Sequence, residues 1–159
     1  MFFTKKGLVK QSKYGRIYVF RFTLSCGKVV HKVGMTHSDR ATDRMFEVLR
    51  SFFNVFRYVP KCELRKDKKV LIPLLVEKHL HKLLNDWSYR PDLPFDGSTE
   101  FFEDIDESIL LTYLTNFSYT ELLKNVTEID ETSYDLIKEA IQSEIHTQDD
   151  TQVDDIIPF

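Results

Sequence analysis

Two charged side chains lie at the border between the apolar and polar faces of predicted helices, where a side chain can reach a ligand. On a predicted helix of residues 40–53, Arg44 lies roughly 90° from the centre of the apolar stripe, at about 100° per residue. An arginine in that position can hold a phosphate through two hydrogen bonds, whereas Arg40 falls further toward solvent. On the next predicted helix, Glu77 lies beside Leu80 at the edge of the buried stripe. A carboxylate held there is suited to fixing one divalent cation.

A β-hairpin, a third strand and two helices are the elements that must position these side chains. β-branched and aromatic residues followed by a turn signal predict the hairpin, and Pro73 suits the first turn of the second helix. Ser38 or Asp39 is expected to cap the first helix. The predicted boundaries are strand 16–24, strand 29–33, helix 40–53, a strand over 55–65 interrupted at Pro60, and a helix from Pro73. Together they predict an α/β domain with a small three-stranded antiparallel sheet flanked by helices.

Beyond residue 104 the pattern changes to short amphipathic helices, expected near 106–115, 119–126 and 132–146. A Ser-x-x-Glu capping pattern begins at Ser118. The stretch from Thr147 is acidic and polar, and is expected to be flexible. The sequence therefore predicts three segments: a folded domain over 1–103, an acidic helical appendage over 104–146 and an acidic tail over 147–159.

Charge is distributed very unevenly along the chain. Residues 1–80 hold 18 Lys and Arg against 6 Asp and Glu, a net +12, and residues 81–159 hold 4 against 19, a net −15. Such a split favours a nucleic-acid-binding part joined to an acidic part with another task. Two alternatives stay open: the halves pair within one folded unit, or the acidic half covers the basic one by mimicking nucleic acid.

Composition excludes several other classes of protein. Hydrophobic residues make up 42% of the sequence and charged residues 30%, as in globular proteins. No apolar run reaches the roughly 18 residues that a membrane span needs. The N-terminal residues lack the order of a signal peptide, and two cysteines make neither a disulfide framework nor a metal spacing. We therefore expect a protein of the reducing cytoplasm that does not associate with membranes.

Several short motifs in chain order resemble the motif set of the GIY-YIG nucleases. The resemblance spans residues 14–103 and is closest to the phage-type branch, which has a lysine in place of the second motif's tyrosine. The first motif reads Arg16-Ile17-Tyr18 here, where the family has Gly-Ile-Tyr. The matching residues are Ile17-Tyr18-Val19, Lys32-Val33-Gly34 within His31-Lys32-Val33-Gly34-Met35-Thr36, Arg44, Glu77-x-x-Leu80-His81 and Gly97-Ser98-Thr99-Glu100-Phe101-Phe102.

The resemblance implies a DNA endonuclease of phage or mobile-element origin that depends on Mg²⁺ or Mn²⁺ and acts in the cytoplasm of a bacterial host. It implies that Tyr18 is the general base, with Lys32 on the paired strand favouring the phenolate. Arg44 would stabilise the transition state, and Glu77 would hold the metal. Further candidates are His37 as a second base or phosphate ligand, Glu100 as an additional carboxylate, and Arg40, Arg50 and Lys28 as nucleic-acid contacts.

Each of these residues has a structural alternative. Tyr18 could be a core residue, and Lys32 a solvated strand lysine. Arg44 could pair with a neighbouring carboxylate, Glu77 with His81, and Glu100 could bind only backbone amides. The alternative for the whole chain is a catalytically idle adaptor or regulator, in which the motifs only bind DNA and the C-terminal tail engages a host replication or repair protein.

The last six residues, Asp154-Asp155-Ile156-Ile157-Pro158-Phe159, resemble the acidic C-terminal peptide of bacterial single-stranded-DNA-binding proteins. Such peptides bind through a terminal phenylalanine ring and its carboxylate, with upstream acids adding electrostatic steering. The resemblance implies a docking segment for a replication or repair protein, formed by Asp154, Asp155, Ile157, Pro158 and Phe159. A passive acidic tail is the alternative.

Overall fold

The computed structural model describes residues 14–126 and 128–150, without the side chains of 145–150. Its α/β class confirms the prediction from the sequence. Two single-turn 3₁₀ segments, Asn85–Trp87 and Ser98–Glu100, lie between the longer elements. Those elements are β1 (Tyr14–Thr23), β2 (Val29–Thr36), α1 (Ala41–Phe56), β3 (Lys61–Leu71), α2 (Pro73–Leu83), β4 (Ser88–Tyr89), β5 (Phe101–Glu103), α3 (Glu107–Thr115), α4 (Tyr119–Asn125) and α5 (Glu131–Asp150).

The sheet is antiparallel throughout and has the order β3-β1-β2-β5-β4. The three predicted strands are its centre and one edge, but the expectation of three strands was wrong, because the described residues form five. The added strands, β4 and β5, have two and three residues. Strands that short carry no periodic pattern of their own and exist because β5 pairs with β2.

Alternation along the strands gives the sheet two buried faces. Tyr18, Phe20 and Phe22 point to one face, where they form a core with Val48 of α1 and other buried residues. Residues of the opposite parity, such as Ile17, Val19 and Val33, are equally buried and lie on the face covered by α2. Because both faces are covered, a fully buried charged side chain on β1 or β2 has to find its partners inside the protein.

Two local expectations need correction. The residue that precedes α1 is Arg40, not Ser38 or Asp39, and its side chain does not cap the helix. The Ser38 hydroxyl donates to the Asp43 carboxylate at 2.6 Å. β3 begins after Pro60 rather than being interrupted by it, since proline has no N–H for the ladder. The start of α2 at Pro73 is confirmed.

The chain divides into two compact units between Thr115 and Asn116. The three helices expected after residue 104 are confirmed, with α5 continuing to Asp150, past its predicted end. In the second unit, Ser118 caps α4 by accepting from the Thr120 and Glu121 amides, and Glu144 accepts from the Tyr119 amide at 3.1 Å. None of the described helices is long and apolar enough to cross a membrane.

Candidate active site

Tyr18 lies opposite Gly34 on the β1–β2 ladder, and this pairing creates the space for the site. The Tyr18 side chain is fully buried and stacks on Phe20, with the ring centroids 4.1 Å apart. A Cβ atom at position 34 would lie 2.7 Å from Tyr18 Cζ and 3.0 Å from a carboxylate oxygen of Glu100. Glycine is therefore required at position 34 for Tyr18 and Glu100 to approach β2 closely.

Lys32 is a fully buried cation on the same face of the sheet. Its ammonium group forms an ion pair with Glu100 and lies 5.4 Å from the centroid of the Tyr18 ring and 5.9 Å from that of Phe101. Gly97, with a φ of 85°, passes so close that a Cβ there would lie 2.9 Å from Lys32 Nζ. The alternative of a solvated strand lysine is therefore wrong.

Arg44 brings the second cation to the site from α1. Its guanidinium donates to Asp96 at 2.8 and 3.3 Å and to Glu47 at 3.2 Å. The hydrogen bonds that Arg44 donates to Asp96, followed by the influence of Tyr18, raise the pKa of Arg44 despite its partial burial, so the side chain stays charged. Its side chain is 21% exposed against 75% for Arg40, as the helix register predicts.

The Tyr18 hydroxyl is buried and makes no hydrogen bond of good geometry with the described residues. Arg44 is nevertheless close enough for the phenol to influence the guanidinium. A buried hydroxyl left in this state is uncommon in folded proteins and marks a position where water or a ligand completes the bonding.

Glu77 reaches the same end of the sheet from α2. One of its oxygens accepts a hydrogen bond from the Met35 amide at 3.0 Å. Burial, followed by the neighbouring Glu100 carboxylate, raises the pKa of Glu77, although His81, the Met35 amide and Lys32 oppose the shift. The negative charge of Glu77 is therefore incompletely compensated by the protein.

An incompletely compensated carboxylate fits a divalent cation. The described residues contain no group of three or more His, Cys, Asp or Glu side chains that could enclose a metal. Mg²⁺ does not need such a cage, because it keeps several of its waters and binds through one or two carboxylates. Glu77, with Glu100 next to it, fits that description, and metal binding stays a prediction.

Asp96 and the close approach of Gly97 to Lys32 were not predicted from the sequence, although Gly97 begins one of the matched motifs. Asp96 holds the Arg44 guanidinium from a loop 52 residues further along the chain. Gly97, whose positive φ allows the loop to turn over Lys32, follows it directly. The Asp-Gly pair is a turn signal, but nothing in its spacing indicates which side chain it meets.

The remaining predicted residues lie away from this cluster. Arg40 pairs with Asp43, and Arg50 is exposed on α1. Lys28 pairs with Glu103 at 2.7 Å, six residues before Gly34 and so about 20 Å along the strand. His37 contacts the Tyr14 carbonyl. The five proposed docking residues, Asp154, Asp155, Ile157, Pro158 and Phe159, lie outside the described residues.

Comparison with known proteins gives a family for the chain. Residues 15–130 match the family model described as the T5orf172 domain. No curated protein and no solved structure matches the chain significantly. The matched range contains every side chain of the cluster, from Tyr18 to Glu100, and covers well over half of the sequence. The chain therefore belongs to the T5orf172 domain family, a phage-associated family within the endonuclease-related group.

Proposed function

We propose that the protein is a DNA endonuclease that hydrolyses phosphodiester bonds with the help of Mg²⁺ or Mn²⁺. One observation carries the proposal. Tyr18, Lys32, Arg44 and Glu100 come from four separate segments and meet around a buried hydroxyl that makes no hydrogen bond of good geometry with the described residues. Glu77, from a fifth segment, lies close enough to Glu100 and Lys32 for their charges to act on its carboxylate. Family membership supports a nuclease-like, DNA-related role for this cluster.

Arg44 is suited to hold the phosphate that is attacked. Asp96 fixes the plane of the guanidinium, and the raised pKa keeps its charge at any pH where DNA is intact. Once a phosphate replaces Asp96, the guanidinium can donate to two phosphate oxygens and stabilise the charge that develops on them in the transition state. Because Asp96 is more than half exposed, incoming DNA can displace it from Arg44.

Tyr18 is suited to orient the attacking water and to receive its proton. Its hydroxyl makes no hydrogen bond of good geometry with the described residues, so it can bond to a water beside Arg44. The Lys32 ammonium lies 5.4 Å from the centroid of the Tyr18 ring, and Glu100 fixes the position of that ammonium. Tyr18 and Lys32 are fully buried, which strengthens the electrostatic interactions between these groups relative to water.

Glu77, with Glu100 beside it, would hold the metal. When bound, the ion relieves negative charge at the phosphate and at the departing oxygen. Glu77 is fixed for this task by the Met35 amide, which leaves its second oxygen available. Burial and the Glu100 charge, which raise the pKa of Glu77, destabilise its negative charge, and a bound cation would stabilise that charge.

Cleavage of supercoiled plasmid DNA, with and without Mg²⁺, tests the proposal. Glu77→Ala and Arg44→Ala should each lower the single-turnover rate by roughly 10²–10³-fold, as expected for loss of one preorganised electrostatic group. Arg44→Lys should not restore the rate, because an ammonium lacks the planar fork. Glu77→Ala should leave DNA affinity within a few-fold of that of the natural sequence.

Matched controls separate the site from general charge effects. Asp86→Asn removes an exposed carboxylate, and Arg40→Ala removes an exposed arginine from α1, both outside the cluster. Both variants should cleave at nearly the rate of the natural sequence. Full activity of Glu77→Ala, or an essential Arg40, would contradict the assignment.

A DNA-binding adaptor without activity is the second candidate, and one observation favours it. Both cations of the site already form ion pairs with carboxylates of the protein: Lys32 pairs with Glu100, and Arg44 pairs with Asp96. Salt-dependent binding to plasmid, branched and single-stranded DNA, with no cleavage of any of them in Mg²⁺ or Mn²⁺, would select this candidate. In that case the tail ending in Phe159 is proposed to recruit a receptor of single-stranded-DNA-binding-protein tails.

A further inference from the structure

A second polar cleft lies beside the site, one step further along the same strand. It has a volume of about 350 Å³ and is lined by Tyr14, Gly15, Arg16, His37, Ser38, Asp39 and Lys69. Arg16 precedes Tyr18 by two residues and therefore shares its face of the sheet, about 7 Å away. In the sheet, Arg16 lies opposite Thr36 of β2 and opposite Lys69 of β3. The spacing between the cleft and the Tyr18 site is of the order of one nucleotide step.

The Arg16 guanidinium is held by two hydrogen bonds and has further N–H donors that these bonds do not use. Its Nε donates to the Asp39 carbonyl at 2.8 Å and its Nη1 to the Asp67 carboxylate at 3.1 Å. Its Nη2 makes no hydrogen bond with the described residues. The residue at this position departs from the Gly-Ile-Tyr motif that the first strand resembles, and the departure adds the guanidinium that lines the cleft.

Lys69 supplies a second cation from β3, the edge strand of the sheet. Its ammonium lies 5.1 Å from the centroid of the half-exposed Tyr14 ring. Within the described part of the chain, Lys69 forms no ion pair, unlike Arg16. An ammonium placed over an exposed aromatic ring, next to unused guanidinium donors, offers charge and hydrogen bonds to an anion.

His37 lines the cleft but does not serve as a hydrogen-bond donor to an anion bound there. A carbonyl oxygen can only accept, so Nδ1–H of His37 donates to the Tyr14 carbonyl at 3.2 Å. In the neutral ring, Nε2 then carries a lone pair and cannot donate to an anion. Gly15 allows this side of the cleft to close, because a Cβ there would lie 2.6 Å from Pro73 Cγ and 2.8 Å from the Thr36 carbonyl.

We infer that this cleft binds a backbone phosphate of the nucleic acid, next to the phosphate held at the Tyr18–Arg44 site. Arg16 and Lys69 provide the hydrogen bonds and charge, and they fix the register of the strand relative to Tyr18. The inference rests on the proposed function, since it names how the substrate of that site is positioned. Asp39, which also lines the cleft, opposes the phosphate and limits its affinity.

Salt titration of DNA binding tests the inference in the full-length chain. Labelled duplex DNA in EDTA keeps binding separate from cleavage, and fluorescence anisotropy gives the affinity at each salt concentration. Loss of one phosphate contact should reduce the slope of log K against log salt by about 0.9. We expect that reduction for Lys69→Ala and not for Lys61→Ala, which removes an exposed lysine from the far end of the same strand. Asp39→Asn should tighten binding.

Neutral methylphosphonate linkages locate the contact. A single substitution at one position should weaken binding of the natural sequence and leave Lys69→Ala unaffected. Equal slopes for Lys69→Ala and Lys61→Ala, or no position-specific effect, overturn the inference even if the plasmid is cleaved. A Lys69-dependent slope without any cleavage supports the phosphate cleft and removes the nuclease proposal. Absence of binding to any nucleic acid overturns both.

Discussion

At the scale of single residues, the site depends on two glycines as much as on its charged side chains. Gly34 lets Tyr18 lie against β2, and Gly97 lets the following loop pass over Lys32. Neither residue contributes a functional group. Their loss would displace the groups that do, and catalytic geometry tolerates displacements of only a fraction of an ångström.

Gly34→Ala should therefore lower the cleavage rate strongly while lowering the free energy of unfolding only moderately. The added methyl would lie 2.7 Å from Tyr18 Cζ, so the ring or the strand must move, at a cost of about 1–3 kcal/mol in the free energy of unfolding. Gly27→Ala is the control, because position 27 has open space but a φ of 91° that costs roughly 1 kcal/mol for alanine. Urea unfolding and plasmid cleavage measure the two effects. Equal cleavage by both variants would show that the close approach has no role.

Glu77 should leave a signature in stability that is independent of activity. Burial and Glu100 raise its pKa above the ordinary 4.5, so the folded state keeps a proton that the unfolded state has lost. Stability then falls as pH rises from the ordinary glutamate range through the raised value. Glu77→Gln, which preserves the acceptor for the Met35 amide, should be the more stable protein near pH 8 without metal and no different near pH 4.

Mg²⁺ should reverse that order. A cation that binds the folded state through Glu77 stabilises it by mass action, so the Tm of the natural sequence should rise with Mg²⁺ while that of Glu77→Gln stays constant. Asp86→Asn should respond like the natural sequence. Equal Mg²⁺ responses of all three proteins would remove Glu77 as the metal ligand, whatever the plasmid assay shows.

At the scale of secondary structure, an ionic cluster connects α3 to the sheet. Glu107, the first residue of α3, accepts hydrogen bonds from His31 of β2 at 3.0 Å and Arg65 of β3 at 3.0 Å, and from Arg21 of β1 at 3.4 Å. Burial opposes its ionisation, but the bonds from Arg65 and His31 outweigh burial and lower the pKa of Glu107. Its contribution is therefore present above the ordinary glutamate range and is lost as pH falls.

Glu107→Gln should destabilise the protein by about 1–3 kcal/mol at neutral pH, because three partners lose a charged acceptor at a mostly buried position. Glu103→Gln is the matched control, since the Glu103–Lys28 pair is about one-third exposed, is screened by solvent and should matter much less. Urea titration at two pH values measures both. A similar loss in the two variants would mean that α3 is held by apolar packing alone.

The long elements could be predicted from the sequence because each repeats its own signal. Alternation marks β1 and β2, and a 3.6-residue apolar period marks α1 and α2. β4 and β5 could not be predicted, because two or three residues hold no period and their pairing is set by the neighbouring strand. In the site, Tyr18, Lys32, Arg44 and Glu77 follow from motif order, whereas the Asp96 contact depends on a loop whose path only the fold determines.

At the scale of the whole molecule, the charge asymmetry has a boundary that the sequence alone did not locate. The predicted division after residue 103 stays a prediction, but contacts divide the chain after Thr115, and Glu107 connects α3 to the sheet. Residues 1–115 carry 20 Lys and Arg against 14 Asp and Glu, a net +6, and residues 116–159 carry 2 against 11, a net −9. Truncation should therefore be made after Thr115.

A chain that ends at Thr115 should bind duplex DNA more tightly than the full chain, because it keeps the +6 and loses the −9 that repels phosphate. The difference should be largest at low salt and shrink as the Debye length falls to about 10 Å near 0.1 M. A chain that ends at Glu103 also loses Glu107, so it should unfold at lower urea and bind less tightly than its net charge predicts. Anisotropy at several salt concentrations, with urea unfolding of all three chains, measures both effects. If the chain ending at Thr115 binds DNA no more tightly than the full chain at any salt concentration, the acidic unit does not weaken DNA binding. The net charge of the first 115 residues then suffices for binding, and the acidic helices need another task.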